Sequence, residues 1–245
     1  MYPAMGLTTS VHDVKSLVLS FHSVVAIRTP EEDRVDQLIE AVGLELGIPV
    51  FEWTLTQGLV RWPAREKNRS TSQPVDMLRH VQGLTVEAVF LLKDLTRHLQ
   101  DPATARLFSE VARACQESHS TLVLTGAALA LPPDLDHLAV HYELALPTRK
   151  ELRSVIDTVL RSLETRFPAA VELSPEEQGT VLDALRGLTL NQARQAVARA
   201  FLDGGELSAA DVPALLETKA RTLAADGTLE FFPADDNPFE LGGFA

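Results

Sequence analysis

The chain has 245 residues, 45% of them hydrophobic, and a formal net charge of −12. This composition supplies enough apolar surface for a sizeable core, which excludes global disorder, and the acidic balance argues against nucleic acid as the main partner. The single cysteine excludes an intrachain disulfide, and no apolar stretch reaches the roughly 18 residues of a membrane-spanning helix, so we expect no membrane partner and a cytoplasmic protein.

Helices and short apolar strands alternate through the first 146 residues. The predicted helices are 9–22, one with an apolar face from Val35 to Leu46, a short one at 74–82, and one that starts at Asp101 and Pro102. The predicted strands are 24–28, 48–56, 88–95, 120–126 and 138–146, and residues 57–74 are predicted to be a loop. Such alternation indicates right-handed crossovers, so we predict an α/β fold with a five-stranded parallel sheet between two layers of helices.

The pattern changes after residue 147, where four helices and no strand are predicted. Three of these helices open with a capping box, in which a Ser or Thr and a Glu or Gln three residues later satisfy each other's backbone N–H groups. The pairs are Thr148 with Glu151, Ser174 with Glu177, and Thr189 with Gln192, and Ser208 with Asp211 is a weaker version. We therefore predict an α/β body over 1–165, a helical subdomain over 166–228 and a linker over 229–245.

The first predicted strand does not lead into a phosphate-binding loop. It continues as "VVAIRTPEEDR" (24–34), and neither GxxxxGK[ST] nor GxGxxG occurs in the chain. Thr29 is predicted to cap the next helix, Pro30 to fill its first position, and Glu32 to bond back to the Thr29 amide. With Glu31 and Asp33, Glu32 places three carboxylates at the positive end of the helix, where they would repel a triphosphate.

Several segments together resemble one family. They are "VFLLKDL", "STLVLTG", "HYELALPTRKEL", "GLTLNQARQAVARAF" and the closing "ELGG". They are similar to the N-terminal half of the AAA+ ATPases first described as conserved plastid and cyanobacterial reading frames of unknown function. The resemblance covers most of 7–243 and implies a P-loop NTPase-like, AAA+-like body without a phosphate loop, followed by a lid-like helical subdomain. In that family such a module precedes a complete ATPase core, so 229–245 would lead toward a core that this chain lacks.

The resemblance also assigns positions around the nucleotide site. "FLLKDL" is similar to the Walker B strand, which makes Asp94 a candidate for holding Mg²⁺ through water, but Leu95 stands where the catalytic acid should follow. Thr125 is similar to the polar sensor at the end of the next strand, and no Arg precedes the fifth strand as an arginine finger. Asp94 and Thr125 are thus the only cofactor-binding candidates, and we expect no catalytic residue, no metal and no cofactor.

Two further segments are candidates for contact with partners. The basic cluster at 61–69 includes Arg61, Trp62 and Arg65, which could contact an acidic face of a neighbouring subunit or RNA, or could form a solvated loop. Phe231 and Phe232 near the end of the chain would dock onto the body of the chain itself, onto the missing ATPase core or onto another subunit.

The histidines and the cysteine are predicted to be structural. The seven histidines form no HExxH motif, and Cys115 lies on an apolar helix face.

These observations predict a non-catalytic regulatory or assembly module of an AAA+ ATPase. Its partners would be the ATPase core, neighbouring subunits and an unknown protein client. Two alternatives stay open. One is an unorthodox nucleotide-binding ATPase that uses Asp94, and the other is an adaptor that contacts nucleic acid through residues 61–69.

Overall fold

The computed structural model describes residues 7–64, 68–164, 174–204 and 209–225. The chain divides between Ala145 and Leu146 into two compact units. The predicted boundary at residue 165 lies later in the chain than this division, and the helix Arg149–Glu164 lies between the two. That helix carries Leu152 and Ile156, which are fully buried in the core of the second unit, so it packs with the helices that follow it. The predicted linker over 229–245 and the predicted cap at Ser208 lie outside the described residues.

The first unit alternates helices and strands in the predicted order. Its helices are α1 (Thr8–Leu19), α2 (Glu32–Leu46), α3 (Pro74–Gln82), α4 (Pro102–Glu117) and the short α5 (Pro133–Asp136). Its strands are β1 (Val24–Arg28), β2 (Val50–Thr54), β3 (Gly58–Arg61), β4 (Val89–Lys93), β5 (Thr121–Gly126) and β6 (Ala139–Tyr142), and short 3₁₀ turns cover Arg69–Thr71 and Leu95–His98. The predicted start of α4 is confirmed, because the Asp101 side chain accepts a hydrogen bond from the Thr104 N–H.

The sheet has six strands in the order β3-β2-β4-β5-β1-β6. The five predicted strands pair in parallel, and β3 adds an antiparallel strand at one edge, so the sheet is mixed and the prediction of a purely parallel, five-stranded sheet is wrong at this edge. Residues 57–74 were predicted as a loop because β3 has only four residues, too few for a visible alternation. The hairpin needs Gly58, whose φ is +75° and whose added Cβ would lie 1.8 Å from the Asn68 carbonyl oxygen.

Helices cover both faces of the sheet and bury two separate apolar clusters. On one face α1 and α2 pack against Val25 and Ile27 of β1, Leu91 of β4 and Val123 of β5. On the other face α3 and α4 pack against Phe90 and Leu92 of β4 and their neighbours. Strands with both faces covered read as continuous apolar runs, which is why β4 and β5 were recognisable in the sequence.

The second unit is helical and begins at Leu146. Its helices are α6 (Arg149–Glu164), α7 (Pro175–Leu185), α8 (Leu190–Gly204) and α9 (Val212–Ala225). One core joins them, and its buried members include Leu152, Ile156, Leu182, Leu185, Val197, Phe201 and Leu215. Among the described ranges of the chain, no helix of either unit is both long and apolar enough to cross a membrane.

The three predicted capping boxes are confirmed. The Glu151 carboxylate accepts from the Thr148 N–H at 2.8 Å and the Glu151 N–H donates to the Thr148 hydroxyl at 3.3 Å. Ser174 with Glu177 and Thr189 with Gln192 repeat the same exchange. Local sequence therefore sets where α6, α7 and α8 begin.

Substitution of Ser174 by alanine tests this local control. Ser174→Ala removes the acceptor for the Glu177 N–H at the start of α7, so we expect a loss of about 1 kcal/mol in the free energy of unfolding of the second unit. Thr158→Ala is the matched control, because Thr158 is exposed and its hydroxyl donates to the carbonyl of Ser154 within α6. Urea denaturation followed by circular dichroism measures both. Equal effects of the two substitutions would contradict the prediction.

Candidate functional site

The candidate site lies at the carboxyl ends of the central strands β1, β4 and β5. After β1 the chain crosses to β2, which lies on the same side of β1 as β4 and β5. After β5 the chain crosses to β6, which lies on the other side of β1. Such a change of direction opens a crevice beyond the strand ends, where open α/β sheets bind their ligands. This place is surrounded by the first turn of α2 and by the residues at the ends of β4 and β5.

A tight turn over Thr29, Pro30 and Glu31 joins β1 to α2. The Thr29 N–H donates to the Gly126 carbonyl at 3.2 Å, the Glu31 N–H donates to the Thr29 hydroxyl at 3.1 Å, and Pro30 has no N–H. Helix α2 begins at Glu32, with Glu31 as its N-cap and no side-chain cap. The predicted capping box at Thr29 is therefore wrong, because the strand ladder already satisfies the Thr29 amide.

The acids at the start of α2 find different partners. Glu31 forms an ion pair of 2.9 Å with Arg34, which also donates to the Ala145 carbonyl and is 3% exposed. Glu32 extends toward the end of β4, where its carboxylate lies 3.6 Å from the Lys93 ammonium. Asp33 is exposed. The three carboxylates thus do not act alike, and two of them neutralise cations of this same chain.

An ionic cluster occupies the space between the first turns of α2 and the end of β4. Lys93, 9% exposed, lies 2.8 Å from Asp36 and 2.9 Å from Glu52, with Glu32 at 3.6 Å. The other carboxylate oxygen of Glu52 accepts a hydrogen bond of 2.8 Å from the Trp62 indole N–H. We call Lys93, Glu32, Asp36 and Glu52 the lysine cluster.

The Lys93 ammonium is held in its charged form. Burial by itself lowers the pKa of Lys93, but the hydrogen bonds and charges of Asp36 and Glu52 outweigh burial and raise the pKa above its ordinary value of 10.5. The lysine cluster thus places three carboxylates within 3.6 Å of the Lys93 nitrogen, at the end of β4 and beside the first turns of α2.

The two cofactor-binding candidates from the sequence lie at neighbouring strand ends. Asp94 has a left-handed backbone with φ 54°, and its carboxylate lies 3.5 Å from Arg97. Lys93 precedes Asp94 in the chain but pairs with Asp36 and Glu52. Thr125 is paired with Lys93 in the sheet register and is 2% exposed, and its hydroxyl has no hydrogen-bond partner among the described residues.

The predicted partner-binding residues have different environments. Arg61 is exposed at the end of β3. Trp62 is only 9% exposed and packs in the core beside α1 and α2, so little of its ring is accessible to a partner. Arg65, Phe231 and Phe232 lie outside the described residues.

Nucleophilic and metal chemistry have little support. Cys115 is 3% exposed, and burial raises the pKa of its thiol to about 12, so it is a packing residue of α4. Across the parts of the chain that the structure describes, no group of three or more His, Cys, Asp or Glu residues could hold a metal ion.

Sequence reasoning missed the lysine cluster. A signal was present, because Glu52 and Lys93 each place a charge inside a strand that otherwise reads as apolar. A charge in a buried strand needs a partner, and two opposite charges in two such strands indicate that the strands are neighbours. The register confirms this, since Trp53 of β2 pairs with Leu92 of β4.

Family models match almost the whole chain. The model described as "SpoVK-like AAA ATPase, N-terminal domain" matches residues 10–144, and the one described as "SpoVK-like AAA ATPase, second domain" matches residues 150–226. The two matches meet near the division that the structure shows between Ala145 and Leu146.

Curated relatives are about twice as long as this chain. An uncharacterized AAA domain-containing protein, ycf46, from Trieres chinensis is 24% identical over 93% of this chain and 45% of its own length. The protein of the same name from Pyropia yezoensis is 20% identical over 94% of this chain and 46% of its own length. The chain thus spans less than half the length of these relatives.

Solved structures with the same fold include AAA domains. The FIGL-1 AAA domain in complex with ADP is 12% identical and aligns with a TM-score of 0.57 over 91% of this chain and 89% of that domain. The structure of C. elegans PCH-2 aligns with a TM-score of 0.51 at 12% identity, over 88% of this chain and 69% of that chain. The first unit with its mixed six-stranded sheet, followed by helices, is therefore an α/β P-loop AAA fold.

Proposed function

Because this chain belongs to the family of SpoVK-like AAA ATPases, we propose that it is a non-catalytic regulatory or assembly module of an AAA+ ATPase. On this proposal the chain hydrolyses no ATP itself and is a degenerate AAA+ module. It shapes a ring, positions an ATPase core or recruits a protein client. The length of the relatives supports the proposal, since the chain matches 45% of one of them and 46% of another.

The observation that carries the proposal is the lysine cluster. The carboxylates of Asp36 and Glu52 lie within 2.9 Å of the Lys93 nitrogen, and that of Glu32 lies 3.6 Å from it. A nucleotide phosphate brought to this place would meet these carboxylates, and each pair of like charges about 4 Å apart costs about 1 kcal/mol even in water. The cost rises in a partly buried site.

The turn between β1 and α2 supports the same conclusion. A phosphate loop binds anions through several inward backbone N–H groups and flexible glycines. Here the Thr29 and Glu31 N–H groups are already bonded within the protein, and Pro30 has none. The turn over Thr29, Pro30 and Glu31 therefore offers a phosphate no free backbone N–H group.

Nucleotide binding to the purified 245-residue chain tests the proposal. We expect no saturable change in the fluorescence anisotropy of labelled ADP or ATP with Mg²⁺ up to about 1 mM protein, which corresponds to a binding free energy weaker than about 4 kcal/mol. The FIGL-1 AAA domain, which was solved with ADP, is the positive control for the assay. Magnesium-dependent ATP turnover should equal that of a blank.

Saturable binding of ATP or ADP would contradict the proposal. The variant Asp94→Asn would then distinguish the rival in which Asp94 holds the metal of an unorthodox ATPase, because that rival requires the substitution to weaken Mg²⁺-dependent binding. Arg97→Gln is its matched control, because it removes the side chain that lies 3.5 Å from Asp94 but leaves the carboxylate in place.

A further inference from the structure

Strand β3 forms one edge of the sheet, with β2 as its neighbour on the inner side. In an antiparallel pair, successive residues turn their backbone N–H and C=O groups alternately toward the partner strand and away from it. The Trp62 N–H donates to the Val50 carbonyl at the start of β2 at 2.9 Å, so Val60 also faces β2. Leu59 and Arg61 therefore turn their backbone groups away from β2.

One of these outward groups is already occupied by a side chain. Outward N–H and C=O groups at a sheet edge are a template on which a strand of another chain can pair. Here the Leu59 N–H donates to the Thr71 hydroxyl at 2.8 Å, and both residues are buried. The Thr71 hydroxyl thus takes the place that a carbonyl of an added strand would take.

The segment that carries Thr71 is fastened along this edge. Residues 68–71 include the 3₁₀ turn Arg69–Thr71, and we call them the edge strap. The Asn68 N–H donates to the Gln57 carbonyl at 3.0 Å, just before β3. At the other end of the edge strap, the Trp53 indole N–H donates to the Thr71 carbonyl at 2.8 Å. The Thr71 hydroxyl also donates to the Asn68 carbonyl at 2.9 Å, which ties the two ends together.

The edge strap lies directly against the backbone of β3. A Cβ added to Gly58 would lie 1.8 Å from the Asn68 carbonyl oxygen and 2.8 Å from the Thr71 hydroxyl oxygen. Only glycine leaves room for so close an approach of two backbone segments. The edge strap therefore covers the first part of the edge at contact distance.

The remainder of the edge is short and poorly suited to pairing. Strand β3 ends at Arg61, which is exposed, and a charged side chain on an edge strand disfavours the approach of another strand. Pro63 follows two residues later and has no N–H for a ladder. The edge strap, Arg61 and Pro63 thus act in the same direction along one edge.

We propose that the edge strap is a guard built into the fold, which keeps β3 from pairing with a strand of a second copy of this chain. The Thr71 hydroxyl is its central group, because it satisfies the outward Leu59 N–H and closes the strap on Asn68. The inference goes beyond the proposed function and does not depend on whether the chain binds nucleotide.

Substitution of Thr71 by valine tests the guard in the whole 245-residue chain. Valine keeps the branched shape but lacks the hydroxyl, so the Leu59 N–H loses its acceptor. In dilute Thr71→Val we expect the Leu59 amide to exchange its hydrogen at least about tenfold faster than in the wild type. At about 0.2 mM protein, sedimentation equilibrium should give a weight-average mass about twice that of the wild type, because two copies pair through β3.

Two further threonine variants are the controls. The Thr54 hydroxyl accepts a hydrogen bond of 3.2 Å from the Gln57 N–H in the turn between β2 and β3, so Thr54→Val removes a hydroxyl from the same hairpin. Thr54→Val should keep the mass of the wild type. Thr71→Ser keeps the hydroxyl and should behave as the wild type in both measurements. Equal masses for Thr71→Val and the wild type would overturn the proposal.

A substitution in β3 itself assigns the association to this edge. Arg61→Pro removes the other N–H of β3 that faces away from β2, and proline at an edge blocks the addition of a strand. The double variant of Thr71→Val with Arg61→Pro should therefore return to the mass of the wild type. If the double variant still associates, another surface is responsible and the edge strap is not the guard.

The variant Trp53→Phe keeps the test decisive if Thr71→Val does not fold. Phenylalanine retains an aromatic ring in the core but lacks the indole N–H that holds the Thr71 carbonyl. Loosening of the edge strap at this end should also raise the exchange rate of the Leu59 amide and the mass at high concentration. A folded Trp53→Phe with faster Leu59 exchange and an unchanged mass would count against the guard.

Discussion

Replacement of Lys93 by methionine is expected to lower the free energy of unfolding of the α/β unit by about 3–5 kcal/mol. Methionine keeps most of the side-chain volume but removes the ammonium that lies within 3.6 Å of Glu32, Asp36 and Glu52. The carboxylate of Glu52, with a side chain only 9% exposed, would then lose this ion pair while it stays buried. Denaturation with guanidinium, followed by the fluorescence of the buried Trp53, measures the loss.

Lys15→Met is the matched control for Lys93→Met. Lys15 pairs with Glu45 at the same distance of 2.8 Å, but the two side chains are 32% and 52% exposed. An ion pair that water already screens contributes about 0–1 kcal/mol, so Lys15→Met should change stability little. If both substitutions cost the same, burial is not what makes the lysine cluster matter.

The contribution of Lys93 to the free energy of unfolding should also depend on pH, and it should fall only at high pH. Its folded pKa is raised above the ordinary value of 10.5, so the stabilisation is fully present below that pH and is lost as pH rises through the folded pKa. The difference in stability between the wild type and Lys93→Met should therefore be constant from neutral pH to about 10 and shrink above it. A difference that shrinks on acidification toward pH 7 instead would contradict this assignment.

Replacement of Phe201 by alanine is expected to cost the second unit about 3–5 kcal/mol in its free energy of unfolding. Phe201 is 1% exposed in the core that α6, α7, α8 and α9 share, so its removal leaves a cavity that the surrounding helices cannot fill without moving. Hydrogen exchange of the backbone amides in α6 and α8 measures the loss within this unit alone.

The next residue along the same helix supplies the control for Phe201→Ala. Leu202 is 56% exposed, so Leu202→Ala removes a side chain of similar chemistry but leaves no cavity. A change within about 0.5 kcal/mol is expected for a surface substitution of this kind. Similar exchange rates in the two variants would show that Phe201 is not the centre of this core.

How well a feature could be predicted from the sequence depended on how far apart in the chain its interacting residues lie. The capping boxes at Thr148, Ser174 and Thr189 were predicted correctly because each needs only two residues three positions apart. The turn after β1 was predicted wrongly because it depends on a contact between residues far apart in the chain. Its Thr29 amide bonds to Gly126, almost a hundred residues away, and this contact displaced the local cap that the sequence favoured.

The same reason explains the outcome for the candidate site. The absence of a glycine-rich loop and the acids at 31–33 were visible in the sequence, and they led to the expectation of a helix end unsuited to phosphate. The partners of Lys93 were not visible, because Asp36 and Glu52 come from a helix and a strand that only the sheet order brings beside β4. The burial of Trp62 was likewise not visible in the sequence, because it depends on β3 at the edge of that sheet.

By itself the sequence determined the alternation of helices and strands, the change to an all-helical region and the starts of three helices, because hydrophobic periodicity and capping act within a few residues. The tertiary structure alone decided the antiparallel edge strand, the membership of α6 in the second unit, and the meeting of Lys93 with three carboxylates. Each of these joins segments far apart in the chain, and only packing of the sheet and its helices fixes such distances.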